Sequence, residues 1–205
     1  NKMNTTKIKQ IIVEKPFEQK VVVAGWVKSS RDFKQIKFIT INDGSCLQSL
    51  QIVIDSDVEG IIDFHKVSVG ASIAVEGVVK KSQGEKQELE LLAQKIDILG
   101  CSPEDYPIQK KNHSMEFLRT KAHLRSRTNT FSAIFRVRSE LSFAIHSFFR
   151  EMGFIYVNTP IITGNDSEGA GEMFQAIKEG EDFFGKKAFL TVSGQLHAET
   201  MALGL

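Results

Sequence analysis

Little sulfur, little proline and no surplus of charge characterise this 205-residue chain, which has 2 cysteines and 4 prolines. Cys46 and Cys101 lie far apart and set no metal-ligand spacing, which excludes a disulfide-stapled scaffold and a zinc module. Both read as small buried side chains in a reducing compartment. Lys and Arg number 26 against 25 Asp and Glu, a net charge of +1, so no global field advertises a polyanionic partner. Any nucleic-acid site has to be read from local charge. No apolar run approaches the ~20 residues that cross a bilayer. Ile11-Ile12-Val13, between Lys9 and Lys15, is too short for the core of a secretory signal. A cytoplasmic protein without a membrane span is expected, and Asn1-Lys2-Met3 reads as the remnant of a longer terminus or of a tag. There is no phosphate-binding glycine loop of the Walker type, no internal repeat and no low-complexity segment. His65, His113, His123, His146 and His197 are scattered, and no Ser/His/Asp triad can be assembled from them.

What is present begins with β-patterned sequence over 21–99. Val21 to Val27 is a β-branched run carrying Trp26, and Ile36 to Ile41 alternates with polar Lys37 and Thr40. Leu47 to Ile54, Ser72 to Val79 and Glu88 to Leu99 complete five strands, and Asn42-Asp43-Gly44-Ser45 is a hairpin signal. Val58 to Val67 reads as a short helix between strands three and four. That order is the one of an OB-fold barrel; an unrelated small barrel or sandwich is the alternative.

Residues 101–128 read as a linker, opened by Pro103 and Pro107. Its basic residues Lys110, Lys111, Arg119, Lys121, Arg125 and Arg127 are opposed over that stretch by Glu116. The charge is either a solvated face or a track for a polyanion. Residues 130–152 carry the clearest helical period, with Phe131, Ile134, Phe135, Leu141, Ala144, Ile145, Phe148, Phe149 and Met152 in a wide stripe. Thr128 or Asn129 can cap its start and Gly153 can end it. The stripe is core packing or an inter-subunit surface. A strand, Phe154 to Val157, is expected next, then a turn over Phe183–Lys187, a strand over Ala188–Val192 and a helix over Gln195–Leu203.

Two stretches carry the chemistry. In 28–37, Lys28, Arg31, Lys34 and Lys37 face one acid, Asp32. A nucleobase could stack on Phe38 while the Gln51 amide, both donor and acceptor, reads its edge. The plainer alternatives are Phe38 in the barrel core, Gln51 as an exposed strand residue and Arg31 as a surface charge. In Ser167-Glu168-Gly169-Ala170-Gly171-Glu172, two carboxylates sit on a glycine-rich loop, followed by Ser193-Gly194-Gln195-Leu196 at the end of an apolar strand. Glycines admit a small ligand and carboxylates hold its ammonium group, which suggests an amino-acid pocket.

Taken in order, these segments resemble class II aminoacyl-tRNA synthetases of the aspartate/asparagine/lysine subgroup. Gly25-Trp26-Val27, Arg31-Asp32, Phe38 and Gln51 look like the anticodon-binding barrel. Glu151-Met152-Gly153-Phe154 with Val157-Asn158-Thr159-Pro160 resembles motif 1, the dimer-forming element, which implies Pro160 at a homodimer interface. The 167–172 loop and Leu190-Thr191-Val192-Ser193-Gly194-Gln195-Leu196 are similar to the asparaginyl branch; aspartyl relatives show Pro-Glu-Gly-Ala-Arg-Asp and Ser-Pro-Gln-Leu there. The resemblance implies a mixed β and α+β chain. It implies a five-stranded OB-fold anticodon-binding domain over residues 1–100, a basic hinge over 101–128 and the start of an antiparallel-sheet catalytic domain over 129–205. It further implies that Glu168, Ser193 and Gln195 bind the amino acid, and that Arg31, Phe38 and Gln51 bind the anticodon of tRNA(Asn), whose central uridine stacks on Phe38. ATP and Mg2+ would serve as cofactors, with asparagine as substrate.

Where aspartyl enzymes place a lysine three residues after the pocket glutamine, this chain has Ala198, then Glu199. An acid accepts from a carboxamide NH2 and repels a carboxylate, so Glu199 is expected to read the amide; a solvated helix residue is the alternative. The arginines of motifs 2 and 3 are expected beyond Leu205, so the 205-residue piece alone is expected to make no aminoacyl-adenylate although the full-length protein does. A non-catalytic RNA-binding module, a relaxed aspartyl enzyme, and an amide-forming paralogue, which residues 21–99 argue against, are the competing functions.

Overall fold

The computed structural model describes residues 4–33, 36–55, 58, 64–84, 87–166, 169, 172–178, 181–182 and 185–205. By contacts the chain forms two compact units, Asn1–Val137 and Arg138–Leu205.

In the first unit, β1 (Lys20–Phe33), β2 (Ile36–Asn42), β3 (Leu50–Ile54), β4 (Ser72–Lys81) and β5 (Leu89–Gly100) close into a barrel of order β1-β2-β3-β5-β4. All pairs are antiparallel except β3–β5, where Ile52 faces Leu91 and Val53 faces Leu92. Period-two burial along β2 and β3 puts Ile39, Ile41, Leu50, Ile52 and Ile54 inside. At Gly77 a Cβ would lie 2.3 Å from the Leu92 carbonyl oxygen, so only glycine permits β4 and β5 to approach that closely at their register shift.

β1 runs six residues past the expected end at Val27, through a bulge at Lys28 that shifts its register against β2. β3 starts at Leu50 rather than Leu47. The Asn42 side chain explains this, because its Nδ2 donates to the carbonyls of Cys46 and Gln48 and holds 46–48 as a turn. Between β3 and β4, Phe64–Lys66 is a single 3-10 turn, and residues 59–63 of the expected helix lie outside the described residues.

Sequence periodicity missed α1 (Ile8–Glu14). Seven residues are too few to display a helical repeat, yet Ile8 and Ile11 are wholly buried in the barrel core. Asp43 caps this helix from the β2–β3 turn: its Oδ2 accepts from the Ile8 amide at 3.1 Å, and its Oδ1 accepts from the amide and hydroxyl of Ser45. The stretch read as a linker also holds structure. α2 (Met115–Thr120) starts under the Ser114 hydroxyl, and Leu118 packs with Tyr106 and Ile108 in a second small core. Cys101 is exposed and Cys46 only half-buried, which corrects the expectation of two buried thiols.

α3 (Asn129–Glu151) begins where Thr128 Oγ1 accepts from the Phe131 amide, and ends at Gly153, whose φ of +86° favours a residue without Cβ. In the second unit, Phe154–Val157 form no strand. The Phe154 amide donates back to the Phe149 carbonyl at 3.0 Å and the two rings meet edge to face, so the chain wraps over the end of α3. β6 (Ile162–Thr163), β7 (Gln175–Lys178), β8 (Glu181–Asp182) and β9 (Ala188–Leu190) form a sheet of order β6-β9-β7-β8. α4 (Gln195–Ala202) follows. Among the described hydrophobic residues of this unit, only Ala188 is buried.

Candidate nucleic-acid interface and amino-acid site

Arg31, Phe38 and Gln51 stand on three neighbouring strands. Arg31 on β1 is paired with Phe38 on β2, and Phe38 with Val53 on β3, while Gln51 lies one row along, opposite Thr40. Opposed residues in an antiparallel pair share a face. Ile39 and Ile52, on the alternate positions, are wholly buried, so this row is the outer face of the barrel. Phe38 therefore belongs to the surface rather than the barrel core and is half-buried. Phe33 meets it edge to face at 5.9 Å and is 58% exposed, giving a second aromatic on the platform. Phe33 lies beyond the β-branched run that ends at Val27, and only the period-two pattern continued from Arg31 along β1 points to it. Two further polar groups join here. Gln51 Nε2 donates to Glu90 Oε2 at 3.2 Å, and Ser82 Oγ donates to the same oxygen at 3.0 Å. Lys34 lies outside the described residues.

The basic stretch supplies local positive charge. Lys28 Nζ donates to the Arg127 carbonyl oxygen. Burial, and then the Arg127 charge, push the Lys28 ammonium below its usual pKa. The Arg127 guanidinium donates to the Tyr106 hydroxyl at 3.1 Å, and Arg125 lies over the Phe131 ring. Lys111 and Arg119 are exposed. Stacking rings beside cations match what single-stranded nucleic acid requires.

In the second unit, the acidic glycine loop connects β6 to β7. Both strands flank β9 and run antiparallel to it, with Thr163 and Gln175 each facing Phe189. Phe174, just before β7, accepts at its carbonyl from the Leu190 amide, at the end of β9 that leads to Ser193. Glu168, with Ser167, Ala170 and Gly171, lies outside the described residues. Ser193, Gln195 and Glu199 do come together. Ser193 Oγ accepts from the Gln195 amide at 3.1 Å, and Gln195 Nε2 donates to Glu199 Oε1 at 2.9 Å across one helical turn. Thr159 abuts them: a Cβ on Gly194 would lie 2.3 Å from its hydroxyl oxygen. The Thr191 amide donates to the Ile161 carbonyl, which ties 159–163 to 189–194. Pro160 is exposed. Among the described residues, no three His, Cys, Asp or Glu side chains cluster as a metal site, and no helix is long and apolar enough to cross a membrane.

Residues 21–99 match the model of the OB-fold nucleic acid binding domain, and residues 114–204 that of the class II tRNA synthetases of the D, K and N group. The stretch 114–204 carries the domain of those class II synthetases, behind an OB-fold domain. The chain is similar, over 98% of its length, to the asparagine–tRNA ligases of Microcystis aeruginosa, at 51% identity, and Bacillus cereus, at 49%. It covers 46% and 47% of these relatives, so the chain spans about half their length. Among solved structures, asparaginyl-tRNA synthetase from Pyrococcus horikoshii, complexed with asparaginyl-adenylate, superimposes with a TM-score of 0.85 at 27% identity, over 99% of this chain and 46% of that one.

Proposed function

We propose that this chain supplies the anticodon-reading domain, the hinge and the first part of the amino-acid site of a protein that activates asparagine with ATP and joins it to tRNA(Asn). Residues 1–100, 101–128 and 129–205 take those three parts in turn. The observation that carries the RNA half is the shared outer face of Arg31, Phe38 and Gln51 on β1, β2 and β3. Phe38 stacks on the central anticodon base, Gln51 contacts its edge and Arg31 contacts the backbone or a neighbouring base. The hinge cations track the phosphates.

For the amino acid, Glu168 holds the ammonium group, and Ser193, Gln195 and Glu199 line the side-chain end. Glu199 already accepts from one carboxamide, that of Gln195, which is the bond a substrate asparagine would offer it. An aspartate carboxylate would meet a like charge and no cation at Ala198. ATP and Mg2+ are the cofactors of the proposed reaction. The described residues form no acidic cluster suited to magnesium. The apolar face of α3 and Pro160 take part in a homodimer, and the cytoplasm, where translation runs, is the proposed compartment. Pyrophosphate exchange by the full-length protein tests the reading: asparagine should drive it and aspartate should not. Equal exchange with both would make the protein a relaxed aspartyl enzyme.

A further inference from the structure

α3 does not start in the second unit. Its first residues lie within Asn1–Val137, and the helix runs across the boundary to Glu151. Three ties hold that start. Lys28 Nζ, on β1, donates to the carbonyl of Arg127, just before the helix. Phe131 packs against the small core of Tyr106, Ile108 and Leu118. The Arg136 guanidinium donates to the Gly44 carbonyl in the β2–β3 turn, into which β2 runs from Phe38. Side chains brace that turn: Asn42 Oδ1 accepts from the Gly44 amide at 2.8 Å, and Asp43 Oδ1 from the Ser45 amide at 3.0 Å. Phe131, Ser132, Ala133 and Arg136 are half-buried, whereas every residue from 137 to 151 is exposed. Arg136 is thus the last of the ties along the helix.

By the helical rise, Arg136 stands about 10 Å along α3 and Glu151 about 33 Å. A rod held only at its root can pivot, and a tie further out removes that freedom. Without it, a swing of about 1 Å at Arg136 grows to about 3 Å at Glu151. From there the chain leads to the Thr159 that abuts Gly194.

We propose that Arg136 is a positioning residue for transfer to tRNA. Its bond to Gly44 sets the direction in which α3 leaves the barrel, so that a tRNA gripped at its anticodon offers its 3′ end to the amino-acid site. The inference rests on the function proposed above and deepens it. A tRNA bridging two sites on one protein meets the second at an effective concentration set by how firmly the two are joined. Loosening the joint lowers that concentration and leaves each site's own affinity intact. Asparagine and ATP need only the second site and an anticodon hairpin only the first, so neither should sense Arg136.

The test uses the full-length protein carrying Arg136→Met, which keeps the apolar stem and loses the donors. kcat/KM for charging whole tRNA(Asn) should fall about three- to tenfold, the effect of one hydrogen bond lost in partial contact with water. Asparagine-dependent pyrophosphate exchange, and hairpin affinity by anisotropy, should stay within about twofold of wild type. Arg136→Lys, which retains a donor, should charge tRNA at a level between the two. Unchanged charging by Arg136→Met would overturn the proposal. So would an equal fall in exchange or hairpin binding, which would make Arg136 a support of the fold alone. A wild-type protein that binds the hairpin no better than Phe38→Ala does, or shows no exchange with asparagine, would remove the underlying function itself.

Discussion

At the scale of single residues, the two most telling side chains are an aromatic on the outside of a barrel and an acid far from any helix it could cap in sequence. Phe38 lies on the row that faces away from the core, so its ring is free for a base. Phe38→Ala should weaken binding of an anticodon hairpin by about 1–3 kcal/mol, read by anisotropy, with little change in the thermal unfolding of the chain. Asp43 caps α1 through the Ile8 amide. Burial alone would raise its pKa. The Ser45 hydroxyl and amide, the Ile8 amide and the nearby Lys7 charge outweigh that, so the carboxyl titrates below its usual range. A depressed folded value means that Asp43 stabilises fully above its unfolded pKa of about 3.9, and that this contribution fades as the pH falls through the lower folded value. Asp43→Asn should flatten the acid limb of stability below about pH 4, measured by circular dichroism. Asp43→Ala should cost about 1 kcal/mol at neutral pH through loss of the cap.

At the scale of elements, short pieces decide more than their length suggests. α1 contributes two wholly buried isoleucines to a core built mostly from strand residues. Ile11→Ala should destabilise the chain by roughly 2–5 kcal/mol in urea unfolding, because the barrel cannot collapse onto the vacated volume. In the second unit, Gly194 is the point where the 159–161 segment touches the start of α4. Gly194→Ala would drive its Cβ into Thr159, a β-branched side chain with little freedom to yield. The full-length protein carrying it should lose most asparagine-dependent pyrophosphate exchange while keeping wild-type affinity for the anticodon hairpin. Equal loss of both activities would show a general folding defect instead of a local displacement.

At the scale of the whole molecule, the two units differ in kind. The first has a closed core; the second leaves Leu141, Phe143, Phe148 and Ile155 more than half exposed, and no residue of α3 is buried. So large an apolar face needs cover. On the homodimer proposed above, Phe148→Asp in the full-length protein should shift sedimentation from dimer toward monomer and leave hairpin binding unchanged.

Much of this was already written in the residues. Alternating β-branched strands, the Asn-Asp-Gly turn and the Phe-rich helical stripe each follow local rules of spacing, so the five strands and α3 could be read without coordinates. So could Arg31, Phe38 and Gln51 as a set, through the ordered motifs they belong to. α1 could not, because about two turns carry no measurable period and its cap lies 35 residues away. Nor could the bulge at Lys28 that carries β1 on to Phe33, or the wrap of 154–156 over the end of α3. Glu90 beside Gln51 was equally out of reach. It depends on a parallel pairing between strands far apart in the chain, and that register is set by how the barrel closes, which no local pattern encodes.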